Sequence, residues 1–254
     1  MSNKREREKR REDRLQEESR ADAGERRTRL LQLAAGAVFL AIAAVVVLIV
    51  VSSSDSGGDA GNLQGAAEVD DLVQGIPQRQ LLLGDPTAKV ELVEYGDLQC
   101  PVCRAYSEDF LPPIIENRVK NGQVKVDFRN FTIIGEQSTA AGAAAVAAGA
   151  QGRGWQFLEL FYRNQGTENS GYADDEFLTA VAAGAGVRDI ARWNRDRKSA
   201  KFVAEVERTT AEAQRLGLTG TPTFAIAGPN SDGSENLGTP SSVEELEAAI
   251  DRVS

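Results

Sequence analysis

Histidine is absent from the 254 residues, and cysteine occurs only twice. Without histidine there can be no Ser–His or Cys–His nucleophile pair. A structural zinc site usually takes four Cys/His ligands, and the chain holds two such residues. Haem attachment through C-x-x-C-H fails because Arg104 stands where the histidine would be. An excess of positive charge is missing too. The chain has 29 Lys+Arg against 38 Asp+Glu, a net charge of −9, which argues against a general nucleic-acid binder. The remaining averages are those of a globular protein, 41% hydrophobic and 26% charged, and the length suits one to two domains.

These averages conceal unlike segments. Residues 1–29 carry 11 Lys/Arg and 8 Asp/Glu, and every residue from Lys4 to Arg14 is charged. So little apolar surface cannot offset chain entropy, so this stretch reads as a solvated cytoplasmic tail. Leu33–Val51 then runs for 19 residues without a polar side chain. A helix of that length covers roughly 28 Å, close to the ~30 Å hydrocarbon core of a bilayer. Arg26, Arg27 and Arg29 precede the run and no basic residue follows in Ser52–Gly58, which puts the N-terminus inside and the rest outside. A cleaved signal peptide is the alternative. The run is longer than its h-region should be, and Val50-Val51-Ser52 is a poor cleavage site. The expectation is therefore an uncleaved single-pass anchor over 30–51.

Beyond it lie 18 basic and 30 acidic residues. Residues 52–75 are rich in Ser, Gly and Asp and read as a flexible linker. Residues 76–254 are long enough for one core. Lys89–Tyr95 (KVELVEY), Gln123–Phe131 (QVKVDFRNF) and Thr223–Ala227 (TFAIA) read as strands. Pro101 suits the first turn of a helix running to Phe110, and Pro112-Pro113 should kink or interrupt it. A helical stretch spans about 138–216. It holds the Ala-rich run Thr139–Ala150, the core-like spacing of Trp155, Leu158 and Tyr162, and the segments Asp174–Ala183, Val187–Arg197 and Lys201–Arg215. Gly228-Pro229-Asn230 reads as a turn, and Ser242 with Glu245 as a capping box opening a last helix to about Val253. Strand, helix, strand, helical block, strand, helix is an α/β order with a mixed sheet.

Both cysteines lie in Cys100-Pro101-Val102-Cys103, just after a strand and at a helix start. As a staple the pair is poor, since closing a four-residue loop is worth ~1.9 kcal/mol against ~4.7 for a 100-residue loop. Zinc lacks two ligands, and lasting free thiols are disfavoured in an oxidising exterior. Redox function remains. Unpaired N–H groups and the dipole at a helix N-terminus favour a thiolate at Cys100, and a low-pKa thiolate leaves readily from a mixed disulfide.

Tyr95-Gly96-Asp97-Leu98-Gln99-Cys100-Pro101-Val102-Cys103, followed about 120 residues later by Gly220-Thr221-Pro222-Thr223-Phe224, resembles the DsbA-like thiol–disulfide oxidoreductases of the thioredoxin superfamily. The likeness is to the membrane-anchored members from Gram-positive bacteria and covers roughly 76–254. It implies a thioredoxin-like fold with an inserted helical region. It implies that Cys100 is the exposed cysteine that forms the mixed disulfide with substrate, that Cys103 is its buried partner, and that Thr221-Pro222 is the cis-proline pair facing both sulfurs. Glu94 stands where the family has a buried acid able to relay a proton to Cys103, a solvent-facing strand glutamate being the alternative. Val102 departs from relatives with histidine between the cysteines, so helix end and local N–H groups must hold the thiolate alone, while Asp97 would oppose it. Glu108 and Asp109 read as a solvated helix face. The resemblance further implies exported proteins with free thiols as clients, a quinone-linked membrane oxidase of the DsbB or vitamin-K-epoxide-reductase type as reoxidising partner, and no cofactor beyond the pair. A reductase or isomerase, and a non-catalytic binding domain on the same fold, remain the alternatives.

Overall fold

The structure, a computed structural model, describes residues 63–254. The charged tail and the expected membrane anchor lie outside the described residues, and among those described no helix is long and apolar enough to cross a membrane. Six described strands form one mixed sheet: β1 (Gln78–Arg79), β2 (Leu82–Leu83), β3 (Val90–Gly96), β4 (Val124–Asn130), β5 (Thr223–Ala227) and β6 (Glu235–Gly238). Their order is β1-β2-β4-β3-β5-β6, with β3–β4 parallel and the other pairs antiparallel. The three expected strands are its centre. The three short outer strands have no clear alternation in the sequence.

The central strand β3 is buried on both faces. Val90 and Leu92 belong to the main core with Cys103, Leu111 and Ile114, while Val93 and Tyr95 join Phe131 and Ala213 in a second cluster. Alternation along the strand therefore assigns Glu94 to the face of Leu92. The helix after β3 begins as α2 (Pro101–Ala105), widens into a π turn at Tyr106–Phe110, resumes as α3 (Leu111–Ile114) and widens again at Ile115–Val119. The helical run continues through both prolines. A proline ring clashes with the carbonyl four residues back and offers no N–H. Here the ladder shifts to i→i−5 just before them, with Leu111 N–H donating to the Tyr106 carbonyl.

The expected helical block resolves into α4 (Glu136–Gly149), α5 (Gly154–Arg163), α6 (Asp175–Gly184), α7 (Ile190–Arg197) and α8 (Ala200–Arg215). The Ala-rich α4 is buried on nearly every side. Its small side chains let neighbours approach closely: a Cβ on Gly149 would sit 2.7 Å from the Gln80 carbonyl oxygen. Trp155, Leu158 and Tyr162 are core residues, as their spacing implied.

Two expectations change. The 52–75 linker is too long, because Ala66–Val73 is helix α1, with Val69 and Val73 buried and Asp70 paired to Arg153 at 3.2 Å. The capping box at α9 (Val243–Val253) is half of one. Ser242 Oγ accepts from Glu245 N–H, but the Glu245 carboxylate accepts from Ser241 N–H at 2.7 Å.

Candidate functional site

Register builds the site. In the parallel pair Gly96 lies opposite Asn130, and in the antiparallel pair Tyr95 lies opposite Thr223. The ends of β3 and β4 and the start of β5 thus meet at one edge of the sheet. The turn Asp97–Gln99 leaves β3 there, and Thr221-Pro222, joined by a cis peptide bond, enters β5 there. Cysteines and proline, 121 residues apart at Cys100 and Thr221, become neighbours, and the Cys100 thiol donates to the Thr221 carbonyl at 3.4 Å.

Cys100 is the N-cap of α2, with extended backbone and Pro101 at the first helical position. Its Sγ accepts from the Cys103 N–H at 3.3 Å. The Cys100 thiol is pulled down to about 6, first by hydrogen bonding from the Cys103 side chain, then by the Thr221 side chain and the Cys103 and Val102 backbone N–H groups, against a desolvation that opposes it. The backbone N–H groups at the helix end therefore do not act alone, as expected without histidine: the Cys103 and Thr221 side chains contribute more. Cys100 is not exposed as the resemblance implied: it keeps 5% exposure, because the turn before α2 and Thr221 cover it. Cys103 is fully buried, and burial, its bond with Cys100 and the Glu94 charge push its thiol well above the ordinary value.

Glu94 is buried, at 1% exposure, which removes the solvent-facing alternative. Its Oε1 has no hydrogen-bond partner among the described residues. Desolvation, then the charges of Glu159 and Cys100, raise its carboxyl to about 8. Asp97, whose charge was expected to oppose the thiolate, is taken up by backbone donors. Its carboxylate accepts from the backbone N–H groups of Gln99, Ile133 and Ile134 at 2.9–3.0 Å, tying the cysteine turn to the loop after β4. Glu108 pairs with Arg104 at 3.0 Å and Asp109 is exposed, as expected of a solvated face.

Sequence reasoning missed the residues that bind this turn to the helical insertion. Tyr162 donates to the Asp97 carbonyl, and Gln165 Nε2 donates to those of Leu98 and Cys100. Gln99, itself buried, donates to Ser138 Oγ and accepts from Asn169 N–H. Glu159 of α5 is also buried and accepts from Ser107 Oγ at 2.9 Å. Only the spacing of α5 hinted at it, because Glu159 lies one turn from Trp155 and from Tyr162, two residues read as core. Among the described residues no group of His, Cys, Asp or Glu side chains could hold a metal ion. A cleft of about 810 Å³ between β4 and α8 is lined by none of the expected site residues.

A family model described as Thioredoxin matches residues 77–252. The chain belongs to this family, and within it to the DsbA-like thiol–disulfide oxidoreductases. A probable disulfide bond formation protein D from Bacillus cereus is 28% identical over 68% of this chain and 78% of its own length. The disulfide bond formation protein D of Bacillus subtilis is 26% identical over 61% and 72%. A protein named Na(+)/H(+) antiporter NhaA 1 from Mycolicibacterium gilvum is 33% identical over 60% of this chain, but only 24% of that protein. Among solved structures, oxidised BdbD from Bacillus subtilis superposes with a TM-score of 0.61 at 23% identity, covering 71% of this chain and 96% of its own. Alpha-DsbA1 from Wolbachia pipientis gives 0.58 at 22%, covering 73% and 95%. These two structural likenesses establish the thioredoxin-like fold with its helical insertion.

Proposed function

We propose that this protein is a membrane-tethered oxidase that introduces disulfides into exported proteins through Cys100 and Cys103. The observation that carries the reading is the unequal pair: one sulfur at a helix N-cap with donors around it, the other buried beneath against an acid. A client thiolate attacks Cys100 of the oxidised pair. A client–Cys100 bond forms, the Cys100–Cys103 bond breaks, and its electron pair departs on Cys103. A second client thiolate then attacks the client sulfur of the mixed disulfide, and Cys100 leaves as a thiolate. The client loses two electrons and the enzyme pair gains them. Glu94, protonated at neutral pH by its burial, gives Cys103 its proton. Thr221 and Pro222 line the approach to Cys100, where an extended client segment can lie along the backbone.

The apolar run Leu33–Val51 and the basic residues before it support a single-pass anchor over 30–51, with residues 1–29 in the cytoplasm and the catalytic domain outside the cell. Any linker then ends before α1. The names of the Bacillus relatives support disulfide formation. Restoring the oxidised pair takes a two-electron acceptor, and a quinone-linked membrane oxidase is the partner we assign.

The test is Cys103→Ala in cells. It should trap exported proteins on Cys100 as mixed disulfides released by reductant, and the wild-type pair should be mostly oxidised. No trapped client would favour a non-catalytic binding domain. A mostly reduced pair would favour a reductase or isomerase.

A further inference from the structure

Glu159 is a buried carboxyl to which the exchange steps above assign no role. It lies in α5, four residues before Arg163, and its Oε2 accepts from the hydroxyl of Ser107. Ser107 is buried and stands four residues after Cys103 on the same helix, so this bond pins the floor of the site to the helical insertion. Glu94 approaches the same floor from the central strand, with one oxygen unpartnered among the described residues. Two buried carboxyls that feel one another's charge do not ionise independently, because each charge opposes the other. Their surroundings separate them. Glu159 has a donor in Ser107 and a cation in Arg163, set against the charge of Glu108. Charge coupling reaches Glu94 from Glu159 and Tyr162 on α5 and from Cys100, Cys103 and Tyr106 on the cysteine helix, none of them a cation. The first proton to leave the pair therefore leaves Glu159, and the one that stays is on Glu94.

We propose that Glu159, held by Ser107, is a positioning residue for thiol–disulfide exchange: its carboxylate keeps on Glu94 the proton that the departing Cys103 sulfur takes up. This rests on the exchange reading above. In the forward step Glu94 passes a proton to the Cys103 thiolate and becomes a carboxylate. When the pair is reoxidised, that carboxylate takes the proton back as Cys103 attacks. The raised values of both acids, about 8 for Glu94 and about 7 for Glu159, agree with a pair that holds a proton through neutrality.

The experiment is the rate of oxidation of a dithiol peptide by the full-length oxidised protein from pH 5 to about 9.5, each rate divided by the peptide thiolate fraction. The wild type should lose rate on the alkaline side as Glu94 loses its proton. Glu159→Gln removes the charge that retains that proton, so the alkaline limb should move to lower pH by on the order of one unit. Ser107→Ala keeps the carboxyl but makes its ionisation harder, and should move the limb the same way by less. In a Glu94→Gln background Glu159→Gln should move nothing. A limb left in place by both Glu159→Gln and Ser107→Ala overturns the proposal, as does a shift that survives Glu94→Gln. If the wild type oxidises no peptide at any pH, the exchange reading itself fails, which is a different result.

Discussion

The mouth and the floor of the site lie within one helical turn, yet they treat the same side chain in opposite ways. At the mouth, Cys100 caps α2 and collects hydrogen bonds from Cys103 and Thr221, and its thiol is pulled down to about 6. At the floor, Cys103 is sealed from water beside Glu94, and its thiol is pushed well above the ordinary value. Residue type decides nothing here. What differs is the supply of donors against the cost of burying charge. The largest effect this comparison predicts is in alkylation of the reduced full-length protein. At pH 7 a thiol with a pKa of about 6 is about 90% thiolate, while one above 9 is about 1% or less, so Cys100 should react with iodoacetamide on the order of a hundredfold faster than Cys103. Its half-maximal rate should fall near pH 6. Equal labelling of the two sulfurs by peptide mass spectrometry would break the comparison.

The floor has a second signature, in stability. Glu94 titrates near 8 in the fold against an ordinary 4.5, so the folded state holds a proton that the unfolded state has released. Its contribution is fully present below about pH 4.5 and is lost as pH rises through about 8, by on the order of 5 kcal/mol in all. Glu159, with a folded value of about 7, adds a smaller loss that ends earlier. Glu94→Gln cannot ionise. Its stability relative to wild type should therefore climb across this window, and thermal melts of both proteins at half-unit steps would measure it. A constant difference from pH 4.5 to 8 would mean that the floor is wetter than its burial implies.

The mouth can be sharpened with the residue type the chain lacks. Val102 is 47% exposed and follows Cys100 by two residues, so Val102→His would set an imidazolium beside the thiolate without disturbing the core. The Cys100 midpoint should fall by about one unit, and the pair should become more oxidising by about 30 mV, since stabilising the reduced form raises the potential. The fully buried Cys103 should keep its slow labelling. An equilibrium with glutathione would read the potential. No change would mean that backbone and side-chain donors already saturate the thiolate.

Much of the fold and of the mouth is legible in the order of residues. The cysteine spacing, the strand before it and Thr221-Pro222 carry chemistry in their order alone, and β3, β4 and β5 announce themselves by β-branched runs bounded by turns. The rest depends on distance in space. A glutamate in KVELVEY reads as buried or exposed according to which face of the strand is covered, and both faces of β3 proved to be covered. Gln99, Ser107, Glu159 and Gln165 have no pattern of their own. Each matters only because the insertion folds back over the cysteine turn. Asp97 was visible, but its three backbone donors belong partly to a loop 36 residues away. The linker reading failed for a related reason: the eight residues of α1 are too few to announce a helix, and they are held by packing of Val69, Leu72 and Val73 against the body of the fold.

The smallest effect concerns the insertion's grip on the mouth. Gln165 Nε2 donates at 2.7 Å to the Leu98 carbonyl and at 3.1 Å to that of Cys100, so Gln165→Leu keeps the volume and removes both bonds. Losing two partly buried hydrogen bonds should cost roughly 1–2 kcal/mol in stability. Neither bond points at the Cys100 sulfur, whose donors come from Cys103, Thr221 and Val102. The alkylation midpoint of Cys100 should then stay near 6 while the melting temperature falls. That outcome would make the insertion a brace for the turn, with the thiolate set by α2 and the start of β5 alone. A midpoint that rose together with the loss of stability would assign the insertion a share in the electrostatics of the mouth, and the division between mouth and floor would have to include it.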